Sequence, residues 1–234
     1  MSLEGESALS HWLTLMLESL PSLLWAGLIF TIPLTLLSFV LGLTVGLIAA
    51  LIRLFAPGPF AAVIKFYVWI IRGTPLLVQL FLIFYGLPSV GIVLDAFTAA
   101  LIGFTLNIGA YTSEILRAVI SSVPKGQWEA AYSIGMSWSQ AMRRTILPQA
   151  ARVAVPPLSN TFISLVKDTS LAAAITVPEL FQAAQRIVAT TYEPLILYVE
   201  AALIYLALSS VLSSLQARLE TRLNRYGGFL EARS

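Results

Sequence analysis

The chain contains no cysteine, which excludes disulfide frameworks and thiolate metal sites. Its one histidine, His11, precedes the first long apolar run, and a lone imidazole without companion ligands makes a poor metal site. Charge is scarce too. Charged residues make up 11% of the sequence, against about 25% in an ordinary soluble domain. Lys65, Lys125 and Lys167 are the only lysines, and none completes a Gly-x-x-x-x-Gly-Lys-[Ser/Thr] loop, so the phosphate cradle of an ATPase is missing. His-Glu-x-x-His and Gly-x-Ser-x-Gly patterns are missing as well. The sequence offers no catalytic constellation, no expected cofactor of its own and no basic cluster suited to nucleic acid.

What fills the chain is apolar. Hydrophobic residues account for 58% of it, gathered in long runs. About 20 mostly apolar residues cross a bilayer core of about 30 Å. The expected class is therefore an all-α integral membrane protein with five transmembrane helices, near 22–52, 61–87, 94–116, 150–171 and 195–215. The first contains Pro33 and Gly42 and stops at Arg53, an arrangement that membrane helices tolerate because neighbours re-satisfy freed backbone groups. The second follows the turn Ala56-Pro57-Gly58-Pro59 and is interrupted at Arg72-Gly73-Thr74-Pro75. Periodicity leaves it open as one broken span or as an interfacial helix leading into a span. Residues 176–194 read as a loop with short helical pieces, and the tail from Arg218 is polar and basic. The N-terminus, MSLEGES, is acidic where a signal peptide would be basic, and the run after it is too long for a signal core. That run is expected to persist as a membrane helix. No internal repeat stands out, so residues 1–234 are treated as one transmembrane domain.

Charge placement sets an expected orientation. With the N-terminus outside and the C-terminus inside, Arg53, Lys65, Arg117, Lys125, Arg143, Arg144, Arg152, Arg218, Arg222 and Arg225 fall at cytoplasmic ends. Glu4, Glu6, Glu18, Asp95, Glu179 and Glu193 stay outside, with Arg186 as the main basic residue there. Excess Lys and Arg on cytoplasmic loops is the strongest orientation signal in a membrane sequence.

The connection 117–149 is the one long stretch of mixed polarity. Within it, residues 127–132 favour a helix, Gly135 interrupts, and Ser137 can cap a second short helix ending near Arg143 and Arg144. Ala130 and Ala131 give a smooth surface for a groove, Glu129 suits a helix start, and Gly135 permits a sharp change of direction. Arg143 and Arg144 suit a helix C-terminus beside anionic lipid. The run Glu129-Ala130-Ala131, Gly135 and Leu147-Pro148 resembles the EAA motif of ABC importer permeases. Thr145 stands where that motif carries an aliphatic residue, with Ile146 beside it. In the family this loop lies in a cleft of the ATPase, so the resemblance implies coupling roles for Gln127, Glu129, Ala130, Ala131, Gly135, Leu147 and Pro148.

Further runs are similar to the polar amino acid uptake branch of that superfamily: residues 72–79, residues 110–117, Pro124-Lys125-Gly126-Gln127, Pro148-Gln149-Ala150, Asn160, and Lys167-Asp168-Thr169-Ser170-Leu171. Val119 replaces the glycine usual there. Read from the residues themselves, Asn107, Tyr111 and Glu114 share one helix face at i, i+4 and i+7. Asn160, Ser164 and Lys167 share another, with Asp168 and Thr169 following. Ionisable groups at membrane depth usually face a cavity or a partner. These eight residues are the candidate solute pathway, and each has a plainer reading. Spacing favours a Glu114–Arg117 pair over solute contact. Asn160 reads equally as an interhelical hydrogen-bond donor, and Lys167–Asp168 equally as a structural pair. Arg72 reads as a backbone or lipid-phosphate anchor, and Trp12, Trp25 and Trp69 as interface anchors.

The resemblance implies a type I ABC importer permease fold in a bacterial cytoplasmic (inner) membrane. It also implies partners: a second permease copy or homologue, two cytoplasmic ABC ATPases that bind the ATP-Mg, and an extracytoplasmic solute-binding protein. The rival class is an ion-coupled secondary transporter or channel, whose paired repeats with matching helix breaks are not evident here.

Overall fold

Three prolines shape the helices of this chain. Pro33, Pro88 and Pro148 each stand two residues beyond a short π-helical segment, at Gly27–Thr31, Leu82–Gly86 and Met142–Ile146 respectively. A proline inside a helix lacks an N–H and drives its ring toward the carbonyl four residues earlier. The wider π turn around that carbonyl makes room for the ring, so at Pro33 and Pro148 the helix continues, whereas after Pro88 only a 3-10 turn to Val90 follows. The computed structural model describes the backbone over residues 3–231 and side chains over residues 10–222, and its described residues contain no strand. Expectations for the side chains of Glu4, Glu6 and Arg225 lie outside the described residues.

The first helix is longer than its apolar pattern suggested. It runs from Leu3–Ala26 (α1) through the π segment into Ile32–Phe55 (α2), with no break at Ser22. Pro21 sits inside α1 without ending it. The 46-residue stretch Ser10–Phe55 would measure about 70 Å at 1.5 Å per residue, more than twice a bilayer core. Gly58–Gly73 (α3) is followed at once by Leu76–Phe81 (α4) and its π and 3-10 extensions to Val90, and the two axes meet at 106°. Ala96–Ser122 (α5) outruns the expected end at 116, and Asp95 caps it by accepting the Thr98 N–H at 3.0 Å. Lys125–Ser133 (α6), Trp138–Ala141 (α7) and Leu147–Asp168 (α8) follow, then a 3-10 turn Thr169–Ile175. The expected loop after 176 is instead a single helix, Leu180–Thr191 (α9). Pro194–Glu231 (α10) continues well past 215, through the polar tail.

Three of these helices are long and apolar enough to cross a membrane, and the bent pair α3–α4 makes a fourth if counted as one span. The remaining long helix, α8, carries Arg152, Lys167, Asp168 and internal Pro156 and Pro157.

Contacts divide the chain into two compact units, residues 1–38, 77–103 and 163–212, and residues 39–76, 104–162 and 213–234. In the first unit α1 packs against α9, and Leu23, Leu180, Ala184 and Ala201 form the core. Gly27 admits Leu180, whose Cδ1 would lie 3.3 Å from a Cβ there. Lys167 and Arg186 are the only Lys or Arg in the segments of this unit. In the second unit Gly42, Gly46 and Gly109 let α2, α3 and α5 approach closely. The Gly109 Cα faces Val45 and the Tyr67 hydroxyl, which donates to the Leu106 carbonyl at 2.6 Å.

Candidate functional site

The segment from Lys125 to Pro148 folds as two short helices around a tight turn. Pro124 precedes α6 with its fixed φ near −55°, and Gln127 N–H bonds back to the Pro124 carbonyl at 3.0 Å. The helix therefore starts at Lys125, and Glu129 lies in its middle, not at its start as expected. Its end is a Schellman turn: Met136 N–H reaches the Ala131 carbonyl at 3.1 Å and Gly135 N–H reaches Tyr132 at 2.9 Å. Gly135 adopts φ +80°, the left-handed conformation that glycine alone enters freely. Ser137 and Gln140 then form a full capping box, with bonds of 3.3 and 2.9 Å. The second helix does not end near Arg143 and Arg144. Both are exposed on a π turn that carries the chain unbroken from α7 into α8.

Hydrophobic and polar ties hold this segment to the membrane-type helices of its own unit. Met142 and Ile146 are buried with Val119 and Ile120 of α5 and Ala150 and Ala154 of α8, and Trp128, Leu51 and Leu54 pack against that cluster. Ile146, fully buried, fills the aliphatic role that the motif gives to position 145. Thr145 instead points its hydroxyl at Met136 Sδ, 3.9 Å away. Phe55 at the end of α2 meets the Trp138 ring edge-on, centroids 5.0 Å apart. Gln149 at the start of α8 donates to the Gln127 side chain at 2.9 Å. On the other side Glu129, Ala130, Tyr132, Ile134 and Gly135 are exposed, and Trp138 is half so. The turn is fastened at its back to α2, α5 and α8 and free at its front.

The expected pathway residues fall on α5 (Asn107, Tyr111, Glu114) and on α8 and the turn after it (Asn160, Ser164, Lys167, Asp168, Thr169). Glu114 pairs with Arg117 at 3.1 Å, as spacing favoured, and also with Arg53 at 2.5 Å and Arg72 at 3.8 Å. Arg72, read as a backbone or lipid-phosphate anchor, also faces that carboxylate. Its guanidinium lies 5.3 Å from the Tyr111 ring centroid and turns to Glu114. Asn160 does bond between helices, but as an acceptor, taking the Gln216 Nε2 proton at 3.0 Å. No ion pair joins Lys167 to Asp168 among the described residues. Thr169 is buried and bonds the Val166 carbonyl at 2.7 Å, while Ser164, Lys167 and Asp168 are exposed.

Sequence reasoning missed two buried carboxylates of the first unit. Glu179 caps α9 by accepting Gln182 N–H at 2.7 Å and takes the Tyr205 hydroxyl at 2.6 Å. Burial pushes its carboxyl above the usual range, against the pull of those bonds. Glu200 accepts the Ser19 hydroxyl at 2.5 Å, tying α10 to α1. Pro178-Glu179 before a helical run was a legible cap signal. Glu200 left only the trace of an acid inside an apolar run.

Residues 42–225 match the family of binding-protein-dependent transport system inner membrane components. The chain belongs to that family. This inner membrane component is 54% identical over 210 residues to the L-cystine transport system permease protein TcyB of Bacillus subtilis (strain 168), covering 89% of this chain and 90% of that one. It is 44% identical over 212 residues to the probable amino-acid ABC transporter permease protein YckA of the same organism, covering 91% and 93%. Among solved structures, one titled as an amino acid ABC transporter with histidines superposes at a TM-score of 0.83 and 37% identity, covering 88% of the component and 96% of that chain. A methionine transporter structure, MetNI, shares the fold at a TM-score of 0.72 and 20% identity, covering 86% and 96%.

Proposed function

We propose that this chain is the membrane permease subunit of an ATP-driven, binding-protein-dependent importer for an amino acid, with cystine as the leading solute. The observation that carries the reading is the turn at Gly135, fastened behind to α2, α5 and α8 and exposed in front through Glu129, Ala130, Tyr132 and Ile134. A rigid element of that kind suits a cleft in a partner ATPase. Gln127, Ala131, Leu147 and Pro148 hold its shape. The relatives supply the solute class, since the 54% identical protein carries the name of a cystine permease.

The chain lies in a bacterial inner membrane as one transmembrane domain of five spans, counting the bent α3–α4 pair and α8, with N-terminus out and C-terminus in. Charge supports that orientation: Arg53 lies in the last turn of α2, Arg117 near the end of α5, and Lys125, Arg143 and Arg144 in the connection after it, which this orientation puts inside. A second permease copy or homologue completes the pathway, two ATPases dock at the turns, and a solute-binding protein delivers from outside. The pathway in this subunit draws on Asn107, Tyr111, Glu114, Asn160, Ser164, Lys167, Asp168 and Thr169. ATP hydrolysis belongs to the partner ATPases.

Deleting residues 127–136 is expected to abolish co-purification of the ATPase while membrane insertion persists. Undiminished co-purification would reject the docking role. Uptake of labelled cystine into vesicles should require ATP, and uptake driven by an ion gradient alone would point to a secondary transporter.

A further inference from the structure

We propose that Arg53, Arg72 and Arg117 form a binding site for an oxyanion, a carboxylate or a phosphate, in which Glu114 acts as a built-in competitor. Three guanidiniums converge on one carboxylate, at 2.5, 3.8 and 3.1 Å. Among the described residues no second acid lies within ion-pair distance of any of them. Positive charge therefore exceeds negative around one partly accessible carboxylate, and guanidiniums this close together repel at short range. One further anion would relieve that repulsion.

The three arginines are not equivalent. Arg53 has 11% of its side chain accessible and is committed to Glu114, with its Nε buried and without a hydrogen-bond partner. Arg72 and Arg117 keep 45% and 39% of their side chains accessible. Each can turn N–H groups toward a newcomer while still facing Glu114. Tyr111, itself exposed, lies against the Arg72 guanidinium and restrains it. A restrained, planar donor fork suits the two oxygens of a carboxylate or phosphate better than a point charge does. Two sources share this chemistry: the carboxylate of a transported amino acid and the phosphate of an anionic lipid. Assigning the first source rests on the importer reading; the site itself does not.

The test uses the intact transporter in nanodiscs and follows its thermal midpoint. One arm adds L-cystine to phosphatidylcholine discs, and the other replaces part of the phosphatidylcholine with phosphatidylglycerol. At least one arm is expected to raise the midpoint of the wild type, and the responding arm identifies the source. R117Q and R72Q should each remove that rise. If R72Q does not fold, R72K, which keeps the charge and loses the fork, should reduce it. E114Q removes the competitor and should tighten the responding ligand about tenfold, whereas an ion knot of purely structural role predicts no gain. A wild type that responds in neither arm overturns the proposal, as does a rise that survives R117Q or an E114Q variant with unchanged affinity. Loss of ATPase docking on deleting 127–136 is a separate observation, so failure here leaves the importer reading standing.

Discussion

The phenol of Tyr205 donates to the Glu179 carboxylate at 2.6 Å while that carboxylate also accepts the Gln182 N–H at the head of α9. Burial raises the pKa of Glu179. A raised carboxyl pKa means that the fold favours the neutral acid. Its contribution to stability is complete below the unfolded pKa, about 4.3, and is lost as pH rises through the folded value. Glu179→Gln cannot ionise; its one amide oxygen can accept the Gln182 N–H while its NH2 donates to the Tyr205 oxygen. Between pH 4 and pH 8 the thermal midpoint of the wild type in detergent should therefore fall relative to E179Q, the two converging near pH 4. Parallel curves across that range would refute the assignment.

Gly46 lies against Thr112, and a Cβ there would collide with the Thr112 Oγ1 and sit 3.0 Å from the Gly109 carbonyl and the Ser113 nitrogen. Backbone atoms cannot yield as a side-chain tip can. Gly46→Ala is expected to cost about 1–3 kcal/mol or more by overpacking. Gly126→Ala, with nothing within 4 Å, should be neutral. Thermal denaturation of the two variants compares them directly, and equal midpoints would contradict the packing.

Gly135 also has open space around it, so its substitution acts through backbone strain alone at φ +80°. Gly135→Ala should cost about 1–2 kcal/mol and weaken the link between ATP hydrolysis and uptake, measured as solute carried per ATP consumed. Gly135→Asn should retain more coupling, because asparagine tolerates the left-handed region. A ranking with alanine above asparagine would argue against the turn geometry.

Ile134 is 73% exposed beside that turn, whereas Ala131 is 3% exposed behind it. Ile134→Asp should leave folding intact and reduce ATPase co-purification; Ala131→Asp should impair folding first. Size-exclusion profiles together with pull-down of the ATPase separate the two effects. Normal pull-down with I134D would remove that face from the docking surface.

Much of the architecture was legible locally. Apolar runs, Gly135, the Ser137 cap and the Arg117 spacing from Glu114 are short-range signals, written by helix period and turn chemistry. Element ends were less legible, because the apolar pattern marks what meets lipid, while α1, α5 and α10 run on in polar sequence that still favours helix. Pro33 was legible as a proline inside a continuing helix, but the π turn that makes room for its ring was not.

By itself, the sequence determined a helical membrane chain carrying one interrupted polar connection of a recognisable family pattern. Tertiary structure alone decided that Arg53 and Arg72 reach the same carboxylate as Arg117, that Tyr205 finds Glu179, and that Ile146 takes the aliphatic place next to Thr145. The physical reason is distance along the chain. Helix period relates residues up to about two turns apart, whereas the Arg53–Glu114 pair and the Glu179–Tyr205 bond depend on which helix faces which, and that follows from packing at uncharged positions: Gly46 and Gly109 for the first, Leu180 and Ala201 for the second.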